Sequence, residues 1–221
     1  MLSEDPPLSI PDFTGKVVDA GRLQLELTEV LGEGAYGVVY LARSQEPDNA
    51  SCSSSSSARP PASREYAVKV LRKVADWTPE GQCQRSEVKL HQLASEAHPG
   101  VLPLHAIVED EEYIYLVLDY CRGGDLYMAI VERHIYAQND ELVKHIFVQI
   151  LDAVQACHDL GVYHRDLKPD NIFVSADGAK AYLGDFGLAT DEALSTNHAC
   201  GSSYYMSPGT FPRQAQSQES R

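Results

Sequence analysis

The sequence lacks the features that would place it in several special classes of protein. Its five cysteines are widely spaced and include no Cys-x-x-Cys pair, which argues against a zinc site or a disulfide framework. No apolar run approaches the roughly 20 residues of a membrane-spanning helix, and the longest lies near residues 113–118. Residues 1–12 are acidic and rich in proline, unlike a secretory leader. We therefore expect an intracellular protein, cytoplasmic or nuclear, with reduced cysteines and no membrane partner.

Positive charge is also scarce in this chain. Lysine and arginine together number 18 against 32 aspartate and glutamate residues, which gives a net charge of -14. Because nucleic-acid binding needs a basic face, this balance argues against nucleic acid as a partner. The hydrophobic content of 43% and charged content of 23% are ordinary for a globular protein, and 221 residues suffice for one or two domains. The sequence carries no signal for the oligomeric state.

Three segments depart from the pattern of a packed domain. We interpret residues 1–20 as a flexible lead-in, and residues 44–64 change abruptly to a serine- and proline-rich composition. Such a composition buries too little apolar surface to offset the entropy of ordering, so we predict a disordered insert between two strands. A regulatory phosphorylation site in this insert is the alternative interpretation. Residues 209–221 are rich in glutamine, serine and arginine without periodicity and are predicted to form a disordered tail.

Between these segments the apolar periodicity predicts both strands and helices. Period-two alternation or short apolar runs predict strands at residues 23–28, 65–71, 101–108 and 113–118. Thr78 and Pro79 supply a capping hydroxyl and a first-turn proline, so a helix should begin there and continue through Leu93. A longer helix is predicted from Asp140 to about Leu160, where apolar residues recur at helical spacing.

Residues 31–42 contain a Gly-x-Gly-x-x-Gly segment formed by Gly32, Gly34 and Gly37. In a dinucleotide-binding fold such glycines open a helix whose N-terminus holds pyrophosphate. Here the residues that follow are β-branched or aromatic and favour a strand. We therefore predict a hairpin of two strands around a glycine turn, which can lay backbone N–H groups over phosphates. An ordinary glycine-rich hairpin without a ligand is the alternative.

The main chemical signal lies in residues 163–171, Tyr-His-Arg-Asp-Leu-Lys-Pro-Asp-Asn, which follow the longer helix. A loop fixed there can aim three polar groups at one point. Asp166 can accept a hydroxyl proton, Lys168 can neutralise phosphate charge, and Asn171 can hold a metal ion. Further along, Asp185 is a second carboxylate, flanked by glycines that let the backbone turn sharply.

These motifs resemble the catalytic loop, the metal-binding turn and the glycine loop of the eukaryotic protein kinases, over about residues 23–208. The resemblance implies an α+β, protein-kinase-like bilobal fold. An N-lobe, residues 21–120, would hold an antiparallel β-sheet with one main helix, and residues 121–208 would form an incomplete helical C-lobe. It further implies transfer of the γ-phosphoryl group of ATP, with Mg²⁺, to protein substrates. The Asp-Leu-Lys-Pro string at Asp166 resembles the serine/threonine class, and residues 201–208 resemble the fungal Ran/Pat group.

The resemblance also implies roles for individual residues. Asp166 would orient and deprotonate the substrate hydroxyl, and Lys168 would neutralise the transferring group. Asn171 and Asp185 would hold magnesium, and residues 200–208 would receive the peptide substrate. The nucleotide-binding positions of the family fall on Leu31, Gly32, Gly34, Gly37, Val39, Ala67, Lys69, Glu87, Leu118, Asp119, Cys121 and Asp125.

Two of these assignments compete with other interpretations. Lys69 would contact the α- and β-phosphates and pair with Glu87, although Glu80 and Glu96 lie on the same predicted helix. Asp125 occupies the position of an acid that faces the ribose or the substrate, but a helix cap is an equally good interpretation. Both alternatives are open at the level of the sequence.

The resemblance ends near Pro208. The family continues with a glutamate where this chain has Gly209, and residues 209–221 do not encode the helices that complete the C-lobe. We therefore expect a truncated chain whose helix at residues 140–160 exposes about four or five apolar side chains, each forfeiting roughly 1.5–3 kcal/mol. A nucleotide-binding pseudoenzyme and a non-functional fragment are the alternatives to an active serine/threonine kinase.

Overall fold

The structure, a computed structural model, describes residues 10–34, 37–45, 64–193 and 200–207. The chain divides into two compact units. The first comprises Met1–Lys73 and Leu104–Tyr120, and the second comprises Val74–Pro103 and Cys121–Arg221. The predicted α+β class with an antiparallel sheet is confirmed.

The first unit is built around one six-stranded sheet. Its strands are β1 Val17–Asp19, β2 Gln24–Gly34, β3 Gly37–Gln45, β4 Glu65–Arg72, β5 Leu104–Glu109 and β6 Tyr113–Asp119. They lie side by side in the order β1-β2-β3-β4-β6-β5, and every neighbouring pair is antiparallel. Strand β6 therefore lies between β4 and β5, and it is the last strand of the first unit along the chain.

The two faces of this sheet carry different side chains. On one, which we call the core face, Tyr40, Tyr66, Val68 and Tyr115 belong to a buried hydrophobic cluster. Because side chains alternate along a strand, the residues between them, such as Lys69, point to the opposite face. We call that opposite side the second face of the sheet.

Residues 10–20, predicted to be a flexible lead-in, pack against the core face. Strand β1 pairs with β2 over three residues, and the ring of Phe13 meets that of Tyr113 edge-on, with centroids 5.0 Å apart. The backbone N–H of Phe13 donates to the Tyr40 hydroxyl at 3.1 Å. The prediction was wrong for these residues, because a strand of three residues is too short to show period-two alternation. Residues 1–9 lie outside the described residues.

The predicted insert of residues 44–64 is shorter than its composition indicated. Strand β3 continues through Ser44 and Gln45, and the backbone N–H of Ser44 donates to the carbonyl of Arg64 at 3.1 Å. Strand pairing therefore includes both ends of the predicted segment, since the end of a strand can be polar without being a loop. Residues 46–63 lie outside the described part of the chain, as do residues 208–221 with the predicted tail.

The second unit is mainly helical. It contains helices α1 Pro79–Ala97, α2 Leu126–Val131 and α3 Asp140–Asp159, and a short antiparallel hairpin of β7 Ile172–Val174 and β8 Ala181–Leu183. Leu90 and Ala94 of α1 share a hydrophobic core with Ala153 of α3 and Leu183 of β8. The predicted boundary at residue 120 placed α1 in the N-lobe. Its packing assigns it to the second unit instead, which no local sequence pattern could indicate.

Most element boundaries agree with the predicted ones. Helix α1 begins at Pro79, with the hydroxyl of Thr78 accepting the backbone N–H of Gly81 at 3.0 Å, so the predicted cap is confirmed. The bounds of α3 are likewise confirmed. The strand predicted over residues 101–108 begins later, at Leu104. The reason is Pro103, which has no N–H to donate to a strand ladder.

Helix α3 exposes the apolar stripe that its sequence predicted. Val143, Phe147 and Leu151 recur every four residues, and 47%, 59% and 51% of their surfaces are exposed. Val148 beside them is also exposed. Its opposite side is buried through Ile146, Ala153 and Cys157. A continuous apolar surface of this kind is a site for contact with other apolar groups.

The described residues include four cysteines, Cys83, Cys121, Cys157 and Cys200, and none of the four forms a disulfide. Cys157 is buried in α3, and this burial raises the pKa of its thiol to about 11, so it packs as an apolar side chain. Among the same residues, no helix is long and apolar enough to cross a bilayer. No group of three or more His, Cys, Asp and Glu side chains within this part of the chain forms a metal cluster.

Asp110, in the turn between β5 and β6, joins the N-terminal segment to the sheet. Its carboxylate accepts hydrogen bonds from the Tyr115 hydroxyl and the Tyr113 backbone N–H, each at 2.8 Å. Lys16 Nζ lies 3.2 Å from its Oδ2 and also contacts the Tyr115 hydroxyl. Burial, the largest single effect, raises the pKa of Asp110, but these donors together lower the pKa to about 2.

We expect Asp110→Asn to lower the free energy of unfolding by about 1 kcal/mol near pH 7, since such a partly exposed pair is screened by solvent. A carboxylate with a lower pKa in the folded state stabilises the fold above its unfolded pKa of about 4. That contribution is lost as pH falls from about 4 to about 2. Urea unfolding near pH 7 and near pH 2.5 should therefore show a difference between wild type and variant that shrinks in acid.

The control for this prediction is Glu111→Gln, which removes an exposed carboxylate from the same turn. Its effect on the free energy of unfolding should be small near pH 7, and it should not show the decrease between pH 7 and pH 2.5 that is expected for Asp110→Asn. A loss of stability in Asp110→Asn that is equal at both pH values would contradict the prediction, because it would not depend on the charge of the carboxylate.

Candidate active site

Several donors converge on the carboxylate of Asp166, in the loop before β7. Oδ1 accepts the backbone N–H of Ser202 at 2.8 Å, and Oδ2 accepts the Asn171 side-chain amide at 3.0 Å. Lys168 Nζ lies 3.1 Å from the same Oδ2. Pro169–Asn171 form a short 3-10 helical turn, and Asn171 also donates to the Asp166 backbone carbonyl at 2.8 Å. The structure thus brings together Asp166, Lys168 and Asn171, as their spacing predicted.

Asp166 is held in its ionised form. Burial, the largest single effect, raises its pKa, but the hydrogen bonds from Ser202 and Lys168 outweigh burial and hold the pKa of Asp166 below its usual value. Lys168 also donates to the Ser202 hydroxyl at 2.9 Å. An ionised carboxylate in a fixed orientation can take the proton of an attacking hydroxyl group.

The contact between Ser202 and Asp166 was not predicted from the sequence, which gave no link between residues 200–208 and the catalytic loop. Gly201 permits this close approach. Its φ is 108°, and a Cβ on it would lie 2.8 Å from the backbone oxygen of Arg165. Only glycine tolerates both this positive φ and this short distance to neighbouring backbone. The Gly-Ser pair in this segment is therefore the sequence signal for the contact.

His164 supports the loop through both of its ring nitrogens. Nε2 lies 2.8 Å from the backbone oxygen of Gly184, so Nε2 carries the proton and donates. Nδ1 accepts the backbone N–H of Asp166 at 3.3 Å. Burial lowers the pKa of His164, in agreement with a neutral ring in this tautomer. The histidine, to which the sequence assigned no role, therefore joins the backbone of Asp166 to the turn that carries Asp185.

Aromatic rings continue from His164 to helix α1. Phe186 is fully buried, and its ring meets the His164 ring edge-on with centroids 5.0 Å apart. It also stacks on the ring of His91, at 4.8 Å and an interplanar angle of 16°. His91 Nε2 lies 2.9 Å from the backbone oxygen of Leu102. This packing fixes Phe186, and with it the neighbouring Asp185, against α1.

Asn171 and Asp185 are brought together by the backbone. The N–H of Gly184 donates to the Asn171 backbone oxygen at 2.9 Å. Asp185 follows with a φ of 55°, a left-handed conformation that is uncommon for a residue other than glycine. The sequence assigned the sharp turn to the flanking glycines, whereas the left-handed conformation falls on Asp185 itself. Such backbone strain is typical of functional sites.

The chemistry of these two residues fits a magnesium ion. Asp185 is exposed and offers a carboxylate. The side-chain nitrogen of Asn171 makes both bonds to Asp166, so its amide oxygen takes part in neither of them. Mg²⁺ prefers oxygen ligands and is usually held by one or two protein groups together with phosphate oxygens. Their role as magnesium ligands stays a prediction.

Glu87 lies in the second unit, next to Gly187. A Cβ on Gly187 would lie 3.7 Å from Glu87 Oε2. Glu87 is buried, with 7% of its surface exposed, whereas the competing candidates Glu80 and Glu96 are exposed. Burial favours Glu87 among the three, because a buried carboxylate needs specific partners. Its pairing with Lys69 of the first unit stays a prediction.

In the first unit, the glycine segment forms the predicted hairpin. Strand β2 ends at Gly34 and β3 begins at Gly37, and the two glycines are partners across the turn. Ala35 and Tyr36 at its tip lie outside the described residues. A strand-to-helix turn of the dinucleotide-binding type is therefore excluded. A Cβ on Gly32 or Gly34 would meet no described atom within 4 Å, so the backbone there is accessible to a ligand.

Four residues predicted to contact nucleotide share the second face of the sheet. Val39 is the partner of Lys69, and Ala67 is the partner of Leu118. Partners across neighbouring strands place their side chains on the same face, and Ala67 and Lys69 are two residues apart on β4. Leu31, near the hairpin, is 38% exposed. The sheet thus presents apolar groups and one amine on one surface.

Asp119, Cys121 and Asp125 lie where the chain leaves the sheet. Asp119 ends β6, and its side chain points to the core face, opposite to that of Leu118. A contact of Asp119 with nucleotide on the second face would therefore involve its backbone. Cys121 is half-buried and is the first residue of the second segment of the second unit. Asp125 caps α2 by accepting the N–H of Met128 at 2.7 Å, which confirms the cap interpretation, while its role toward ribose or substrate stays a prediction.

Comparison with known proteins adds independent information. The sequence profile of the protein kinase domain matches residues 25–220. A similar protein from Schizosaccharomyces pombe, the negative regulator of sexual conjugation and meiosis, is 39% identical over 208 residues, covering 94% of this chain and 39% of that protein. The putative ribosomal protein S6 kinase alpha-1 of Caenorhabditis elegans is 34% identical over 218 residues, covering 97% and 26%. The ribosomal protein S6 kinase 2 alpha of Gallus gallus is 34% identical over 197 residues, covering 88% and 24%.

The chain spans 24% to 39% of the length of these three relatives. The profile match extends over most of the chain, and it includes both the loop of Asp166 and the turn of Asp185. The chain therefore belongs to the family of proteins that contain a protein kinase domain.

Proposed function

We propose that this chain is the catalytic part of a protein kinase that transfers the γ-phosphoryl group of ATP, with Mg²⁺, to serine and threonine. The observation that carries the proposal is the Asp166 carboxylate, which Lys168, Asn171 and the N–H of Ser202 contact together. The relatives named as kinases of ribosomal protein S6 support a protein as the phosphate acceptor. The S. pombe relative, named for conjugation and meiosis, supports the narrower proposal of a Ran/Pat-like kinase.

In the proposed reaction, Asp166 orients the substrate hydroxyl and accepts its proton as the oxygen attacks the γ-phosphorus. The bond from the γ-phosphorus to the β,γ-bridging oxygen breaks, and ADP leaves. General base catalysis of this kind contributes about 10²–10⁴-fold to a rate. Lys168 lies beside Asp166 and supplies positive charge to the transferring phosphoryl group. His164 stays neutral and holds the loop, so it does not compete for the proton.

Asn171 and Asp185 would hold magnesium through their amide and carboxylate oxygens. When bound, magnesium would neutralise charge on the phosphate oxygens of ATP. The backbone bond from Gly184 to Asn171 keeps the two ligands at neighbouring positions. The aromatic contacts of Phe186 with His91 and His164 also restrict the movement of the turn that contains Asp185.

The first unit would bind the rest of the nucleotide. The backbone N–H groups of Gly32 and Gly34 would donate hydrogen bonds to the phosphates, and Lys69 would contact the α- and β-phosphates. The backbone of Asp119 and Cys121 would bind the adenine edge. The side chains proposed to contact the adenine ring are those of Leu31, Val39, Ala67 and Leu118.

The test is transfer of radiolabelled phosphate from ATP to a mixture of serine-, threonine- and tyrosine-containing peptides by the purified chain with Mg²⁺. We expect phosphoserine and phosphothreonine without phosphotyrosine, and no transfer once EDTA has removed magnesium. Binding of Mg-ATP without transfer would favour a nucleotide-binding module instead. Absence of both nucleotide binding and cooperative unfolding would favour a non-functional fragment.

A further inference from the structure

Arg133 follows helix α2, and its side chain binds the segment that leads into the same helix. Its Nη1 donates to the backbone oxygen of Gly123 at 2.6 Å, and its Nη2 donates to that of Ala176 at 2.9 Å. A guanidinium group carries its donors in a rigid planar fork, so one side chain can hold two carbonyl groups at once. Arg133 therefore joins the Gly-Gly segment after β6 to the turn between β7 and β8.

The backbone of Arg133 lies in a defined position at the end of α2. Its N–H donates to the Met128 oxygen at 3.0 Å, within the last turn of the helix. The next residue, His134, has a φ of 51°, so the chain changes direction directly after Arg133. Asp125 caps the start of the same helix. The side chain of Arg133 thus reaches from the end of α2 to the residues just before its cap.

Arg133 binds a peptide group that the pairing with β7 does not include. The N–H of Gly123 donates to the Val174 oxygen at 3.1 Å, and the Gly124 oxygen accepts the Val174 N–H at 2.9 Å. These bonds involve the peptide groups before and after the one that links Gly123 to Gly124. The linking group has its oxygen on Arg133 and its N–H on the Cys121 oxygen, at 3.0 Å. Arg133 and Cys121 therefore hold opposite sides of one peptide plane.

The two glycines that flank this peptide group permit it to rotate. Gly124 has a φ of 71°, and glycine adopts positive and negative φ about equally readily. Gly123 is required for a different reason, because a Cβ there would lie 2.2 Å from the Ser175 backbone oxygen. With no Cβ on either side, rotation of the peptide group has little steric cost. Its orientation therefore depends on the contacts made by its oxygen and its N–H.

We propose that Arg133 is a positioning residue for nucleotide binding, which holds the turn of residues 121–124 in the form that binds the adenine edge. The inference rests on the proposed function, in which the backbone of Cys121 makes that contact. Rotation of the peptide group would withdraw the Gly124 N–H from the Cys121 oxygen and open this four-residue turn. The apparent affinity for nucleotide would then fall with the fraction of molecules in which the turn is closed.

The test compares the dissociation constants of adenosine and of Mg-ATP, measured by calorimetry, for wild type and Arg133→Gln. We expect the variant to bind both ligands about three- to tenfold more weakly, the fold-change that corresponds to the loss of one hydrogen bond. The loss should be equal for the two ligands, because Arg133 acts on the contact with adenine. An arginine that attracted phosphate directly would affect the affinity for Mg-ATP alone.

Two further measurements separate positioning from a merely structural role. Arg133→Lys keeps the positive charge but lacks the planar fork, so it should bind adenosine more weakly than wild type does. In phosphate transfer, Arg133→Gln should raise the KM for ATP and leave kcat at saturating ATP unchanged. Arg85→Gln is the matched control, because it removes an α1 arginine that lies 2.9 Å from Asp76, and it should keep both wild-type affinities.

Hydrogen exchange of the Gly124 amide reports the turn directly. Followed by NMR on protein labelled at glycine, this exchange should be faster in Arg133→Gln than in wild type, since the bond to the Cys121 oxygen opens more often. In Arg85→Gln it should equal the wild-type rate. Wild-type exchange at Gly124 in Arg133→Gln would contradict the proposal, because the turn would then be closed without the arginine.

The outcomes distinguish this inference from the proposed function. If wild type binds adenosine and transfers phosphate, but Arg133→Gln keeps its affinity for adenosine or loses affinity for Mg-ATP alone, Arg133 has no positioning role and the kinase assignment stands. If wild type binds neither adenosine nor Mg-ATP, the proposed function fails and this inference fails with it. Thermal melting of each variant confirms that the affinities refer to folded protein.

Discussion

Asp166→Asn should lower kcat for phosphate transfer by about 10²–10⁴-fold while leaving the affinity for Mg-ATP nearly unchanged. The substitution keeps the shape of the side chain but removes its charge and its capacity to accept a proton. Asp166 Oδ2 accepts one hydrogen bond from Asn171 and faces Lys168 Nζ, so an amide nitrogen in place of Oδ2 would meet two donors. The bond from the Ser202 N–H to Oδ1 can persist, since an amide oxygen accepts as well.

The matched control is Asp152→Asn, which makes the same chemical change on the exposed surface of α3. Initial rates over a range of ATP concentrations separate kcat from the KM for ATP, and thermal melting checks that each variant is folded. The control should retain the wild-type kcat. If Asp166→Asn kept more than about a tenth of the wild-type kcat, Asp166 could not be the general base, whose removal costs at least about 10²-fold.

The catalytic loop was predictable from the sequence because its chemistry is local. Asp166, Lys168 and Asn171 lie within six consecutive positions, and a proline and a short helical turn decide how they face one another. The glycine hairpin was predictable for a similar reason, since the β propensity of the residues after Gly37 decides between a strand and a helix. In both cases the information needed is carried by neighbours in the chain.

The parts that were missed depend on contacts between distant residues. Ser202 reaches Asp166 from 36 positions away, and His164 joins Asp166 to Gly184 across 20 positions. Helix α1 was assigned to the wrong unit because its amphipathic pattern shows that one side is buried, but not which core buries it. The periodicity of a single segment does not show which distant residues it will contact. The role of His164 could therefore be recognised only in the folded chain.

Gly37→Ala should destabilise the first unit, by about 1–3 kcal/mol as is typical of overpacking. A Cβ on Gly37 would lie 2.4 Å from the backbone oxygen of Val70 and 2.8 Å from Leu71 Cδ2. Relief of the first contact requires β3 and β4 to separate where Val38 pairs with Val70. We expect a lower midpoint in urea unfolding and faster hydrogen–deuterium exchange in the peptides of β3 and β4.

Gly32→Ala is the matched comparison, because a Cβ there would meet no described atom within 4 Å. Its stability should equal or slightly exceed that of wild type, since alanine has fewer conformations than glycine in the unfolded chain. Its affinity for Mg-ATP should nevertheless fall, because the proposed function brings phosphates close to that backbone. The two glycines of one motif would then have different tasks: Gly37 permits the approach of two strands, and Gly32 permits the approach of the ligand. Equal unfolding midpoints for the two variants would contradict this division.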